Sequence, residues 1–320
     1  MYSLSERRMM RMKNDYKNIL SGIFPSITTP FIKGEVSSSC LASNIRKYNE
    51  FDLGGYMVLG GNGEYLGLTE KETYKVVETI VENKKPGRSI VAGVGRESAE
   101  ATVRFIKSLV KYGIDIASII TPYYFAKRMK DENLIAYYLK IADESPIPIL
   151  IYNSPDYAAG VEVSPHVISV LSRHENIVGM KNSSGKELSV YTAASQGQEF
   201  YYHAGKSQTC LRDLKQGAVG ATLSMAIYWP QICIRLYRLY LDGRKDEAEQ
   251  LSDSINMVNR AGVSRYGVPG VKYAMDLAGF FGGEPRLPLL PLTEAQKQEI
   301  NKAYEIEKGV KESYENINWM

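Results

Sequence analysis

Short runs of apolar, often β-branched residues punctuate the chain: Ile23–Thr28, Tyr56–Gly60, Ser89–Val94, Ile114–Thr121, Ile147–Tyr152, Ile177–Lys181, Phe200–Ala204 and Val219–Leu223. Within each run hydrophobicity is continuous rather than alternating, the pattern of strands covered on both faces. The runs start roughly 20–33 residues apart, which leaves room for one helix in each interval, as parallel strands joined by crossovers require. Those intervals carry helix signals. Thr69-Glu70-Lys71-Glu72 reads as a capping box, followed by Tyr74, Val77, Ile80 and Val81 on one face. Ser98 precedes Val103, Phe105, Ile106, Leu109 and Val110, while Ser164-Pro165 supplies an N-cap and a first-turn proline. Gly217 terminates the helical segment that begins near Ser207.

Eight strand–helix units close most economically into a (β/α)8 TIM barrel, expected over residues 22–228. An open doubly wound sheet is the competing α/β arrangement, but no GxGxxG phosphate fingerprint follows the first strand. Beyond residue 228 the pattern turns helical, at Ile232–Leu241, Lys245–Val258, Val271–Gly279 and Thr293–Glu305. Residues 229–320 therefore read as a C-terminal α-helical extension packed on the barrel.

Composition narrows the class of protein. With 44% hydrophobic and 23% charged residues the chain is an ordinary globular one, able to bury a large core. No apolar run is long enough to span a bilayer. Cys40, Cys210 and Cys233 are odd in number and widely spaced, which argues for free thiols and a cytoplasmic location rather than a disulfide framework or a zinc site. The net charge of +3 resides entirely in residues 1–21, where five basic residues face two acidic ones. A neutral body does not suggest a nucleic-acid binder, and the basic segment reads as an arm, solvated or docked on a neighbouring subunit.

Candidate chemistry lies at the C-terminal strand ends, where barrels of this type carry their sites. Lys181 closes the apolar run Ile177–Lys181 and is followed by Asn182-Ser183-Ser184-Gly185. A lysine seldom ends a core strand unless it is paired or used, and an amine in an apolar pocket sheds its proton readily and attacks ketones. The plainer alternative is a lysine emerging into solvent. Tyr152 ends the neighbouring strand, about 4.8 Å away by sheet geometry, where its phenol could move protons for an imine; alone it would be a core aromatic. The Gly60-Gly61-Asn62-Gly63 loop could present bare N–H groups to a carboxylate, or be a plain turn. Glu64 is read as a brace for that loop, His166 and His174 as surface or packing residues, and His203 as facing the barrel mouth without the acidic partners of a metal site.

These residues together resemble the pyruvate-dependent class I aldolases and lyases that include dihydrodipicolinate synthase and N-acetylneuraminate lyase. The resemblance runs from about Gly22 to Pro291. It is carried by Thr28-Thr29-Pro30-Phe31, the Gly-x-x-Gly-Glu loop at 60–64, Thr121-Pro122-Tyr123-Tyr124, Tyr152-Asn153-x-Pro155, Val178-Gly179-Met180-Lys181, the segment 266–272 and Arg286-x-Pro288-Leu289. Among relatives the motifs look most similar to the 4-hydroxy-2-oxoglutarate aldolase branch. The resemblance implies that Lys181 forms a Schiff base with pyruvate or another 2-oxo acid, with Tyr152 as proton shuttle. It implies that the N–H groups of Gly61 and Asn62 hold the carboxylate, with Ser183, Gly205 and Thr222 lining the pocket. Tyr124 would reach across a dimer interface, in a tetramer of dimers, and no cofactor is implied.

Two positions depart from the family pattern. Gly61 stands where a serine or threonine usually links two tyrosines in a proton relay. Tyr157 stands where the synthases keep an arginine for the aldehyde substrate's carboxylate, and a phenol does not replace a two-pronged guanidinium. The expectation is a 4-hydroxy-2-oxoglutarate aldolase-like lyase, with dihydrodipicolinate synthase-like or N-acetylneuraminate lyase-like activity as the alternative. A non-catalytic 2-oxo-acid-binding protein is the alternative of another kind.

Overall fold

The computed structural model describes residues 16–261 and 263–315, so most of the expected basic arm lies outside the described residues. A one-turn helix, Tyr16–Ile19, leads into the first of eight parallel strands. These are β1 (Gly22–Pro25), β2 (Gly55–Val58), β3 (Ser89–Gly93), β4 (Ile116–Ile120), β5 (Ile149–Asn153), β6 (Ile177–Asn182), β7 (Tyr201–Ala204) and β8 (Ala218–Leu223). Each falls on one of the eight apolar runs, shifted by one to three residues where the ladder gives way to a loop. Consecutive strands from β2 to β8 are hydrogen-bonded neighbours, and β8 pairs with β1. The ring is closed between β1 and β2 by an isolated bridge, Ser26 to Met57, with Ile27 N donating to Met57 O at 2.8 Å and Gly54 N to Ile23 O at 3.0 Å. This is a TIM barrel.

One helix follows each strand: α1 (Ser38–Tyr48), α2 (Glu70–Asn83), α3 (Ala99–Val110), α4 (Asp131–Glu144), α5 (Pro165–Leu171), α6 (Ser189–Ala194), α7 (Cys210–Lys215) and α8 (Pro230–Leu241). Their starts are set by local chemistry that the sequence displays. Thr69 and Glu72 form the reciprocal capping box of α2, and the hydroxyls of Ser98 and Ser164 accept from Ala101 N and Val167 N. Gly217, with φ +104°, takes the left-handed turn after α7.

Packing divides into two layers. Phe24, Met57, Val91, Ile116, Leu150 and Val178, one from each of the first six strands, fill the inside of the ring with Leu20. A larger core joins the outer faces of the strands to the helices. The chain then adds α9 (Lys245–Ala261), α10 (Gly267–Leu277) and α11 (Glu294–Glu315). α10 packs against the turns that follow β2 and β8, which brings the C-terminal helices to the rim carrying the strand ends. No described helix is long and apolar enough to cross a membrane. Cys40, Cys210 and Cys233 are free thiols.

Candidate active site

Lys181 and Tyr152 face each other in register on β6 and β5. Side chains alternate along a strand, so in-register partners on parallel neighbours point to the same side of the sheet. Lys181 is only 5% exposed, and its Nζ lies 4.2 Å from the centre of the Tyr152 ring. The lysine therefore does not emerge into solvent. Burial pushes the Tyr152 phenol up, but the Lys181 charge and the polar groups of Ser154, Ser183 and Lys181 outweigh it, leaving the phenol below its ordinary pKa. A phenol so placed gives up its proton more readily than an ordinary tyrosine, which brings it closer to the range in which it can shuttle one.

Seven of the eight candidate residues, Lys181, Tyr152, Gly61, Asn62, Ser183, Gly205 and Thr222, line one cavity of about 220 Å³ at the C-terminal ends of the strands. After β2 the chain turns through a 3-10 segment, Gly61–Gly63, whose internal hydrogen bonds use the N–H groups of Gly63 and Glu64. The N–H groups of Gly61 and Asn62 stand outside that turn's own bonding. Asn62 Nδ2 donates to Ser224 Oγ at 2.8 Å, tying the loop after β2 to the loop after β8. Ser183 is 4% exposed, and its hydroxyl is left without a well-aligned hydrogen-bond partner among the described residues. Gly205 is fixed by close approach, because a Cβ there would fall 2.0 Å from Ser183 Oγ and 2.6 Å from Asn182 O. Lys206 contributes a second cation to the lining, held at 2.9 Å by Asp156.

Tyr124 is the exception. It is 77% exposed on the outer rim, its N–H donating to Glu97 Oε2 at 2.9 Å and its ring edge-on to Phe125 at 5.0 Å. Within the chain it does not join the cavity that holds Lys181.

The two departures from the family pattern lie against each other. A Cβ built on Gly61 would meet the Tyr157 ring at 3.4 Å, with the hydroxyl-bearing Cζ nearest. The aromatic side chain in the other changed position thus packs against the bare face of Gly61. Both residues also border a second, largely apolar cavity of about 450 Å³ on the β2–β4 side of Tyr152.

Glu64 braces its loop, as expected. Its carboxylate meets Lys272 Nζ at 2.6 Å and accepts the Arg286 N–H at 2.7 Å. The placement of His203 differs from the expectation of a side chain at the mouth. It is 1% exposed inside the barrel, bonded to Leu20 O at the opposite end of the ring, because Gly220 on the neighbouring strand leaves a slot for the imidazole. His166 is exposed, and His174 pairs with Asp143 at 3.1 Å on the surface. Ser154, which the sequence offered only as the variable position before Pro155, borders the cavity beside Tyr152. No group of three His, Cys, Asp or Glu among the described residues is arranged to hold a metal ion.

The chain matches the dihydrodipicolinate synthetase family over residues 19–307. It is 30% identical over 282 residues to a 4-hydroxy-tetrahydrodipicolinate synthase of Methanothrix thermoacetophila, covering 87% of this chain and 94% of that protein. A protein of the same name from Methanoculleus marisnigri is 31% identical over 289 residues, covering 89% and 98%. Among solved structures, a 4-hydroxy-tetrahydrodipicolinate synthase from Methylacidiphilum fumariolicum superposes with a TM-score of 0.82 at 28% identity, covering 90% of this chain and 96% of that one. The sialic acid aldolase of Ruminococcus gnavus shares the fold, with a TM-score of 0.84 at 20% identity over 92% of this chain and 99% of that one.

Proposed function

The chain belongs to the dihydrodipicolinate synthetase family, whose members are aldolase-type lyases, and we propose that its reaction runs through an imine between Lys181 and the keto carbon of pyruvate. The observation that carries this reading is the buried Lys181 amine, 4.2 Å above the Tyr152 ring, in a cavity of about 220 Å³ bordered by a loop whose own turn bonds leave out the N–H groups of Gly61 and Asn62.

The chemistry follows from the groups present. The neutral amine attacks the keto carbon, forming the N–C bond as the carbonyl π electrons move to oxygen. Tyr152 delivers a proton to that oxygen, and a proton leaves the nitrogen, giving the carbinolamine. The proton shed by nitrogen returns to Tyr152, which passes it to the departing hydroxyl, so that water leaves and the protonated imine remains. That imine is an electron sink, so a proton can leave C3 to give an enamine, which attacks an aldehyde carbon to form the new C–C bond. Water then cleaves the imine and frees Lys181; the reverse sequence cleaves the bond. The N–H groups of Gly61 and Asn62, with the Ser183 hydroxyl, would hold the 2-oxo acid's carboxylate.

Of the finer readings, the relatives support synthase-like condensation, which the sequence motifs held as the alternative. The 4-hydroxy-2-oxoglutarate aldolase branch draws no support from them. Exposed Tyr124 and Phe125 form an aromatic pair suited to an interface, and we assign them to a homo-oligomer in which Tyr124 approaches the partner's site. Incubation with pyruvate, borohydride reduction and mass spectrometry test the core of the proposal. Lys181 should carry one carboxyethyl group, absent in Lys181→Arg; an unmodified wild-type chain would refute the imine. An adduct without turnover of any aldehyde would favour a 2-oxo-acid-binding protein.

A further inference from the structure

His203 is a buried titratable group that the chemistry above leaves unused, set in a barrel interior that is otherwise mostly apolar. It lies beside Lys181 in register, on β7, and packs edge-on to Phe24 with ring centres 4.9 Å apart. Its imidazole occupies the room left by Gly220, where a Cβ would fall 2.8 Å from Nε2 and 2.3 Å from Leu20 O. Nε2 meets the Leu20 carbonyl, and Nδ1 lies 3.0 Å from Thr222 Oγ1.

These two contacts fix every proton. A carbonyl only accepts, so the ring hydrogen must be on Nε2. Nδ1 is then a bare lone pair, and Thr222 must donate its single hydroxyl proton to it. Burial, with the nearby Lys181 charge, holds the imidazole down at about 4 against the opposing pull of the Leu20 carbonyl, so the neutral tautomer persists at physiological pH. Thr222 Oγ1 consequently presents only lone pairs to the cavity it shares with Lys181. An aliphatic side chain could fill the Gly220 slot without any polar group to satisfy.

We propose that His203 is a positioning residue: it converts Thr222 into a fixed hydrogen-bond acceptor facing the cavity, which takes the Nζ–H of Lys181 when the amine swings from the Tyr152 ring to the keto carbon and then holds the imine in place. This deepens the reading of Lys181 as nucleophile and rests on it. An unlocked threonine hydroxyl could instead donate to the substrate's carboxylate and compete with the N–H groups of Gly61 and Asn62. The locked one cannot, which keeps the carboxylate on the glycine loop.

The rate of borohydride-trappable pyruvate adduct formation tests this in wild type, Thr222→Val, His203→Leu and the double variant. Each single substitution should slow trapping about tenfold, as expected when a reacting group loses its alignment. The double variant should be no slower than the slower single, because His203 acts through Thr222. Thr222→Ser, which keeps the hydroxyl, should recover most of the rate that Thr222→Val loses. Multiplying effects, or Thr222→Val or His203→Leu at the wild-type rate, would overturn the proposal. Should His203→Leu fail to fold, nitrogen-15 NMR of the wild-type ring decides: it must show protonated Nε2 and bare Nδ1 at neutral pH, and Thr222→Val must still slow trapping. The opposite tautomer overturns the assignment. A wild-type chain that forms no adduct sinks both this proposal and the Lys181 reading; an adduct indifferent to Thr222 sinks this one alone.

Discussion

The Lys272 ammonium lies 2.6 Å from the Glu64 carboxylate, with side chains 0% and 6% exposed, joining α10 to the loop that follows β2. Lys272 also donates to Glu284 O at 2.9 Å and sits 4.5 Å above the Phe31 ring. Burial pulls the lysine below its ordinary pKa, against the Glu64 charge that holds the proton on. The glycine loop proposed to grip a carboxylate therefore owes its position to a charge on a helix more than 200 residues downstream.

Removing one member of such a pair leaves an uncompensated buried charge, so Lys272→Met should cost about 3–5 kcal/mol by urea denaturation. Replacing both Glu64 and Lys272 by apolar residues of similar volume should recover most of that stability. Recovery of stability without recovery of pyruvate affinity would show that the pair also sets the loop's geometry. A Lys272→Met variant as stable as wild type would contradict the packing described.

Tyr152→Phe should retain the fold and slow turnover by about 10²–10⁴, the usual range for loss of a positioned acid–base group. The wild-type rate profile should include an ionisation below that of an ordinary tyrosine, since Tyr152 is held down chiefly by the Lys181 charge against burial. That ionisation should be missing from the Phe variant. A profile unchanged by the substitution would remove Tyr152 from the proton path.

Gly61→Ser places its Cβ at ordinary contact distance, 3.4 Å, from the Tyr157 ring, so the variant should fold with near-wild-type stability. If the absent hydroxyl limits proton transfer, kcat should rise while KM for pyruvate stays put. Gly61→Val adds bulk against the same ring and should raise KM. Equal kinetics for wild type and Gly61→Ser would mean that another group already carries the proton.

His203 links folding to acid. Its folded pKa of about 4 lies below the unfolded value near 6.5, so the unfolded chain binds the extra proton between those values. Stability is therefore full above pH ~6.5 and falls as pH drops toward ~4, by about 3 kcal/mol in all. His203→Leu should flatten the denaturation midpoint across that window relative to wild type. Parallel pH dependences in the two proteins would place the titration elsewhere.

Much of this architecture was legible in the chain because it is written locally. Continuous apolar runs marked all eight strands, and Thr69, Ser98 and Ser164 marked helix starts, since caps depend on neighbours three residues away. Lys181 and Tyr152 could be paired because strand register is a short-range consequence of the ladder. What stayed hidden depends on tertiary approach. Nothing near His203 in sequence discloses that Gly220 opens a slot for it, and nothing near Gly61 discloses that the Tyr157 ring lies over it. The partner of Glu64 was likewise invisible, because Lys272 comes to it only through the docking of α10.

The bridge from Ser26 to Met57 gives the ring a clasp. Seven of its eight seams are ladders of several residues, while this one rests on an isolated bridge and two neighbouring backbone bonds. A closed ring can loosen without unravelling only where it is fastened least, so breathing motions should start between the first two strands. That seam runs directly into Gly60 and Gly61. The stretch of backbone proposed to greet the substrate is thus also the place where the ring has the most freedom to yield.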